Sequence, residues 1–249
     1  MIKSFLSKKC EEVILGSLLG DGSLKIQNQY KNARFSFRHS IQQKEYFFWK
    51  INQLKEISSE KCWWEQEKND LGGAMLRYQS IATNTLTDIY NLTCKNNHIV
   101  IRRKWLNKLT PLSLAVWWLD DGSLITNGRR GVICTDSFSC DEQKILTQYL
   151  LKVWGVKVHI GKIKRKHNGK IKEYYRLWIR SSEELMKLLR IILPYVKVES
   201  MLPKVLLLYK NSNLQQRWIS EVNKLTGFSF PVIEKYVNEK KNKWKNFRK

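Results

Sequence analysis

Two acidic residues stand at matched points of two apolar segments, Asp21 in "LLGDGSL" and Asp121 in "WWLDDGSL", with Gly22 and Gly122 separated by 100 residues. Each closes an uncharged run that reads as a helix, so each carboxylate lies where the macrodipole and unsatisfied carbonyls already make the potential negative. If the two helices pack side by side, these oxygens gather into a hard-cation site. Carboxylate and carbonyl oxygens suit Mg²⁺, which keeps waters and takes phosphate as a further ligand. With a polyanionic partner the implied chemistry is metal-assisted phosphodiester hydrolysis. Asp-Gly is also a common tight-turn pair, and a single copy after a helix reads as a connector. Two copies, each closing an apolar helix and opening a basic hairpin, argue for chemistry. Asp120 has no acidic counterpart in the first half, where Gly20 takes its place, and it is given a supporting role at most.

Periodicity predicts the elements that must hold these acids. The first helix is expected over residues 9–20, and its uncharged portion, 13–20, must be buried on nearly all sides. Gly16 and Gly20 stand four apart on one face, at a cost of roughly 1 kcal/mol each relative to Ala. That cost makes sense if another helix backbone approaches closely. "SLKIQ" and "ARFSFRHS" alternate with period two and predict a hairpin. Leu24, Ile26, Phe35 and Phe37 share its apolar face, and Lys25, Gln27, Arg34, Ser36 and Arg38 its basic face. A helix over 42–57, strands near 62–68 and 76–83, and a short helix near 84–94 complete the order α-β-β-α-β-β-α.

The second half reads the same way. "PLSLAVWWLDD" predicts a helix with Pro111 in its first turn, and "SLIT" with "GVICTDS" a hairpin connected through Gly128. "SCDEQKILTQYLLKVWG" predicts a helix capped near Ser139 and stopped by Gly155. Strands over 156–164 and 173–180 flank the basic tip "KRKHNGK", and "SSEELMKLLRIILPYV" is a closing helix. Helical stretches "MLPKVLLLYK" and "NLQQRWISEVNKL" precede a tail over 231–249 with seven basic and two acidic residues. The tail is expected to be a flexible or helical arm that adds phosphate contacts without reading bases.

Composition limits the partners. The 249 residues are 43% hydrophobic with ten Trp, ten Tyr and nine Phe, which excludes a disordered chain and suits one large domain or two similar halves. Lys plus Arg number 45 against 22 Asp plus Glu, a net charge of +23, so nucleic acid is the first partner to consider. No apolar run approaches the roughly 20 residues that span a bilayer. The N-terminal "MIKSFLSKKCEEV" lacks both a long apolar stretch and a small-residue cleavage site, so a soluble intracellular protein with no membrane partner is expected. The five cysteines contain no C-x-x-C pair. His39, His98, His159 and His167 are scattered and read as ordinary surface or core histidines, and no zinc site is expected.

"ILGSLLGDG", residues 14–22, and "LAVWWLDDG", residues 114–122, resemble the two signature helices of LAGLIDADG homing endonucleases in the single-chain, two-motif form. "LTPLSLAVWWLDDGS", "TDSFSCDE" and "SMLPKV" bring the second half nearest to the branch that includes the yeast mitochondrial omega-intron endonuclease. Val116 departs from the usual Gly of the signature, with Ala115 beside it. The resemblance implies an α+β fold of two pseudo-symmetric αββαββα halves packed through their signature helices, each with a saddle-shaped antiparallel DNA-binding sheet. It divides the chain into a first subdomain over 1–105, a second over 106–206, and a helical extension with basic tail over 207–249.

The activity so implied is a double-strand break in a long, loosely palindromic DNA duplex, made by a monomer through Mg²⁺-dependent hydrolysis. Asp21 and Asp121 match the family's metal-binding acids, and the carbonyls of Gly20 and Asp120 match positions that complete the coordination. Lys204 matches a basic residue near the second active site, while its first-half counterpart lies open between Lys95 and His98. Strand parity assigns DNA contacts to Lys25, Gln27, Arg34, Ser36, Arg38, Arg77 and Gln79 in the first half and to Arg176, Trp178 and Arg180 in the second. Arg and Gln suit base edges and Lys suits phosphates. An RNA-binding intron maturase and a DNA-binding protein without cleavage share the motifs and stand as alternatives. A Lys- and Asn-rich chain fits an AT-rich genome, organellar or bacterial.

Overall fold

The computed structural model describes residues 6–28, 30–67, 73–125, 128–167 and 169–246. The first half runs α1 (Lys8–Leu19), β1 (Ser23–Lys25), β2 (Arg34–Ser40), α2 (Lys44–Gln53), β3 (Trp63–Gln66), β4 (Met75–Gln79) and α3 (Asn84–Thr93). After β5 (Cys94–Lys95), β6 (His98–Ile99) and α4 (Arg103–Leu106), the same order returns. It runs α5 (Pro111–Asp121), β7 (Gly122–Ile125), β8 (Arg130–Ile133), α6 (Cys140–Trp154), β9 (His159–His167), β10 (Lys170–Ile179) and α7 (Ser182–Ile192). Two further helices follow, α8 (Ser212–Thr226) and α9 (Phe230–Asn246). Each half carries a four-stranded antiparallel sheet, ordered β1-β2-β4-β3 and β7-β8-β10-β9.

The chain forms two compact units, Met1–Asp120 and Asp121–Lys249. Compactness is a different criterion from the repeat. It places α5 up to Asp120 with the first unit because that helix packs on α1, and it places α8 and α9 with the second.

The glycines of α1 explain that packing. A Cβ at Gly16 would lie 2.4 Å from the Ser113 carbonyl oxygen, and one at Gly20 would lie 2.6 Å from Asp120 Cβ. The close backbone approach expected from the glycine spacing is therefore present. Val116 faces Gly16, so the bulk that α5 carries at the signature's usual glycine position is accommodated by the missing side chain on α1. Ser113 Oγ ties the pair by donating to the Glu12 carbonyl at 2.9 Å. Beneath the first sheet, Leu24, Phe35, Phe37, Leu76 and Tyr78 are buried, and the alternation that predicted the first hairpin holds over β2.

Several boundaries differ from the periodicity. β1 stops at Lys25 because the Asn97 side chain accepts from the Ile26 N–H at 2.9 Å and donates to the Ile26 carbonyl at 3.2 Å. Gln27 therefore lies beyond the strand. Asn97 can do this because Asn96 and Asn97, both at positive φ, make the two-residue turn of a β5–β6 hairpin that periodicity did not predict. The helix expected over 42–57 is a 3-10 turn, α2, and a second 3-10 turn at Lys55–Ile57. The segment "MLPKVLLLYK" is helical only in the 3-10 turn Glu199–Lys204. Beyond it the chain enters neither helix nor strand before α8, and the buried Gln215 side chain of α8 pairs with the Leu207 carbonyl and the Tyr209 N–H. Of the basic tail, residues 231–246 belong to α9, anchored by buried Ile233 and Val237, and 247–249 lie outside the described residues.

Candidate active site and nucleic-acid interface

α1 is capped at its start by Ser7 and ends one residue before Gly20. The N–H groups of Gly20 and Gly22 both donate to the Ser17 carbonyl, at 2.9 and 2.6 Å, and turn the chain sharply at Asp21. A Cβ at Gly22 would sit 2.7 Å from that same carbonyl oxygen, which is why Gly follows the acid. The turn leaves the Asp21 side chain 37% exposed.

Directly beneath Asp21 lies a buried polar cluster. The Asp120 carboxylate accepts from Lys50 Nζ at 2.9 and 3.1 Å, from the Tyr46 hydroxyl at 2.9 Å and from the Asp21 backbone N–H at 3.3 Å. The Asp120 and Lys50 side chains are both fully buried. Such a pair persists because each charge is hydrogen-bonded and neutralised by the other. Burial, and then the charge of Asp120, push the Tyr46 hydroxyl well above its usual titration range, so it stays a donor. Asp120 thus carries an asymmetry into the first half, where it frames the backbone of Asp21. His39 completes the cluster from β2, its Nδ1 3.3 Å from Asp21 Oδ2 and its Nε2 3.8 Å from Asp120 Oδ1.

These partners were legible only in part. His39 has the same parity as the buried Phe35 and Phe37, and Tyr46 and Lys50 are four apart on one helical face. What the sequence did not disclose was that Asp120, 70 positions after Lys50, is their common partner.

The first sheet turns a polar face away from its core. Its register sets Lys25 opposite Arg34, Ser36 opposite Gln79, and Arg38 opposite Arg77. Six of the seven first-half DNA-contact candidates share this face, and Gln27 lies exposed in the loop past β1. Arg34 Nη1 donates to Gln79 Oε1 at 3.4 Å. Arg34 Nε and Arg77 Nε are buried without a hydrogen-bond partner among the described residues. Asp21 opens into the groove along this face, lined also by Ser23, Lys25, Ser36, Arg38, Trp64, Arg77 and Gln79. Lys95 and His98 are paired across the β5–β6 hairpin and do not line it.

In the second unit Asp121 ends α5, and its carbonyl accepts from the Cys134 N–H at 3.0 Å. Lys204 ends the 3-10 turn Glu199–Lys204, which packs against β7, the strand that starts one residue after Asp121. On β10, Tyr174, Arg176 and Trp178 share the face opposite buried Leu177 and Ile179, and Arg180 is exposed just past the strand. Arg176 is not a free reading group. Its guanidinium donates twice to Asp136, at 2.6 and 2.8 Å, and Arg165 lies 3.2 Å from the same carboxylate. Those hydrogen bonds hold the Asp136 carboxyl below its usual range. Trp178 lies across Gly161, where a Cβ would come within 2.2 Å of the indole nitrogen.

An exposed carboxylate at a negative helix end is a fitting ligand for a divalent cation. Asp21, His39 and Asp120 each bring one donor atom within 4.8 Å of the others. Asp120 is the least available of the three because Lys50 already neutralises it.

The chain has recognisable relatives. Protein RecA of Mycobacterium gastri is 30% identical over 174 residues, which cover 63% of this chain and 39% of that protein. The chain thus spans about two fifths of the length of that relative. Cytochrome b mRNA maturase bI2 of Saccharomyces cerevisiae is 28% identical over 195 residues, 74% of this chain and 44% of that one. DNA endonuclease I-ChuI of Chlamydomonas applanata is 26% identical over 152 residues, 54% and 67% of the two chains. Among solved structures, the homing endonuclease I-WcaI bound to its DNA recognition sequence shares the fold, with a TM-score of 0.69 at 23% identity over 83% of this chain and 89% of that chain. The profile of the LAGLIDADG DNA endonuclease family matches residues 11–188, spanning both acid-bearing helices and both sheets, and the chain belongs to that family.

Proposed function

We propose that the protein is a site-specific homing endonuclease that makes a double-strand break in a long, loosely palindromic DNA target. The observation that carries this reading is the groove in which Asp21 meets the basic face of the first sheet. An acid placed there has a use if phosphate is the bound group, because a simple polyanion-binding face is weakened by a carboxylate.

In this reading Asp21 and Asp121 hold divalent cations, one in each half, with the carbonyls of Gly20 and Asp120 as further ligands. A cation held there, taken as Mg²⁺, would supply activation of a hydrolytic water and charge neutralisation at the phosphodiester. Lys204 neutralises developing negative charge in the second half. Lys25 holds phosphate, and Arg34, Ser36, Arg38, Arg77 and Gln79 face base edges, with Gln27 reaching from the adjoining loop. In the second half Trp178 and Arg180 serve the same face, while Arg176 reads a base only by giving up Asp136. The protein acts as a monomer, inside an organelle or a bacterial cell. No helix among the described residues is long and apolar enough to cross a membrane.

The similarity to a yeast mRNA maturase favours a second reading, an RNA-binding splicing cofactor. One experiment separates the two. The purified chain is incubated with a randomised duplex library and Mg²⁺, and cleaved ends are sequenced. Cleavage confined to one preferred site is expected, with Ca²⁺ supporting binding and little cutting. An intact library together with tight binding to structured RNA would replace this reading with the maturase.

A further inference from the structure

His39 is the least explained group in the first unit. It is 1% exposed, and neither ring nitrogen has a hydrogen-bond partner among the described residues. A buried imidazole with both nitrogens idle is costly and calls for a missing partner. Both nitrogens nevertheless point at acids. Nδ1 is 3.3 Å from Asp21 Oδ2, but the oxygen lies off the line a hydrogen bond requires. Nε2 is 3.8 Å from Asp120 Oδ1, beyond hydrogen-bond reach.

A nitrogen and an oxygen at that first separation, not in line, are the span of two metal–ligand bonds of about 2.1 Å meeting at one ion. The second contact has a matching logic. A histidine that ligates through one nitrogen characteristically turns its other N–H toward a carboxylate, which fixes the tautomer and raises ligand basicity. Asp120 is held for that part by Lys50 and Tyr46, whose hydrogen bonds fix it without demanding a cation.

We propose that His39 Nδ1 and Asp21 together ligate the divalent cation of the first half, with Asp120 as the outer carboxylate that orients the imidazole. An imidazole in the donor set shifts preference from Mg²⁺ toward the later first-row transition ions, and Mn²⁺, which also suits the carboxylate of Asp21, serves as the paramagnetic probe. The inference rests on the endonuclease reading only in placing a cation at Asp21, and its test does not depend on cleavage.

The probe is Mn²⁺ added to the full chain without DNA, observed by pulsed EPR. Nitrogen hyperfine coupling from one bound imidazole is expected. It should disappear in His39→Gln, with Mn²⁺ binding weakened about tenfold or more, and it should persist in His98→Gln. Isotopic labelling of histidine nitrogen in the unmutated chain should change the coupling, a check that holds even if His39→Gln folds poorly. Asp21→Asn should remove the nitrogen-coupled signal as well.

Failure to bind Mn²⁺, bound Mn²⁺ without nitrogen coupling, or coupling that survives in His39→Gln would each overturn the proposal, the second leaving His39 as an electrostatic neighbour of Asp21. Library cleavage in Mg²⁺ without the coupling would sink this inference alone. Coupling without any cleavage would uphold the site and sink the endonuclease reading.

Discussion

At the scale of single residues, the two adjacent acids of the second signature have opposite duties. Asp121 is the repeat partner of Asp21, whereas Asp120 is the buried counter-charge of Lys50. Their substitutions should therefore fail differently. Asp21→Asn and Asp121→Asn are each expected to fold, to bind target DNA, and to lose most cleavage of one or both strands in a nicking assay. Full double-strand cleavage by either would reduce Asp-Gly to a turn. Asp120→Asn instead leaves an uncompensated ammonium in the core, and we expect a loss of about 3 kcal/mol or more in urea unfolding. Lys50→Met added to Asp120→Asn should recover much of that loss, because the lone buried charge is then gone. Parallel loss in the single and double variants would mean that packing, not charge, governs the site.

At the scale of elements, close helix approach and an internal lysine clamp set the framework. Gly16→Ala puts a methyl 2.4 Å from the Ser113 carbonyl, against backbone that cannot swing aside. It should lower the thermal midpoint markedly, whereas Gly73→Ala, with nothing within 4 Å, should be close to neutral. α9 is secured by Lys240, whose Nζ donates to the Pro203 and Leu206 carbonyls at 2.8 and 2.7 Å, on either side of Lys204. Although Lys240 as a residue is only half-buried, the burial of its amine pushes its pKa down to about 7. Between that value and the ordinary lysine value the unfolded chain binds more protons than the folded one, so stability rises with pH. The thermal midpoint is expected to climb from pH 7 to about pH 9 and to flatten over that range in Lys240→Met. An unchanged slope in the variant would assign the pH response to other groups.

At the scale of the whole molecule, a net charge of +23 makes polyanion binding steeply salt-dependent. The tail is part of a packed unit, since Ile233 and Val237 are buried. Deleting it would expose core and confound any binding measurement. Neutralising its exposed lysines is the cleaner test. Lys235→Gln with Lys243→Gln should weaken binding to every duplex alike and reduce the slope of log affinity against log salt by up to about 2, near 0.9 for each phosphate left without its cationic partner. Loss of discrimination between target and mismatched duplexes would show that α9 reads sequence.

What the sequence by itself determined was set by short-range rules, although the short Asn96–Asn97 hairpin escaped them. The repeat of "GDGSL" and "DDGSL", the period-two alternation of the strands, the glycine pair of α1 and the Ser139 cap with Gly155 stop each depend on neighbours a few positions away. They carried the order of elements and the polar sheet face. What only the tertiary structure decided were partnerships between distant charges and the ends of elements. Nothing in the sequence marks Lys50 and Asp120 as a buried pair until α2 and α5 close around them, and His39 is an ordinary core histidine until Asp21 is set beside it. Likewise β1 ends where Asn97 arrives, and Arg176 is held by Asp136 from another strand connection. The physical reason is common to all of these. Local propensity constrains backbone dihedrals within a few residues, whereas the worth of a buried charge or a strand-ending hydrogen bond depends on a partner tens of residues away, which only packing supplies.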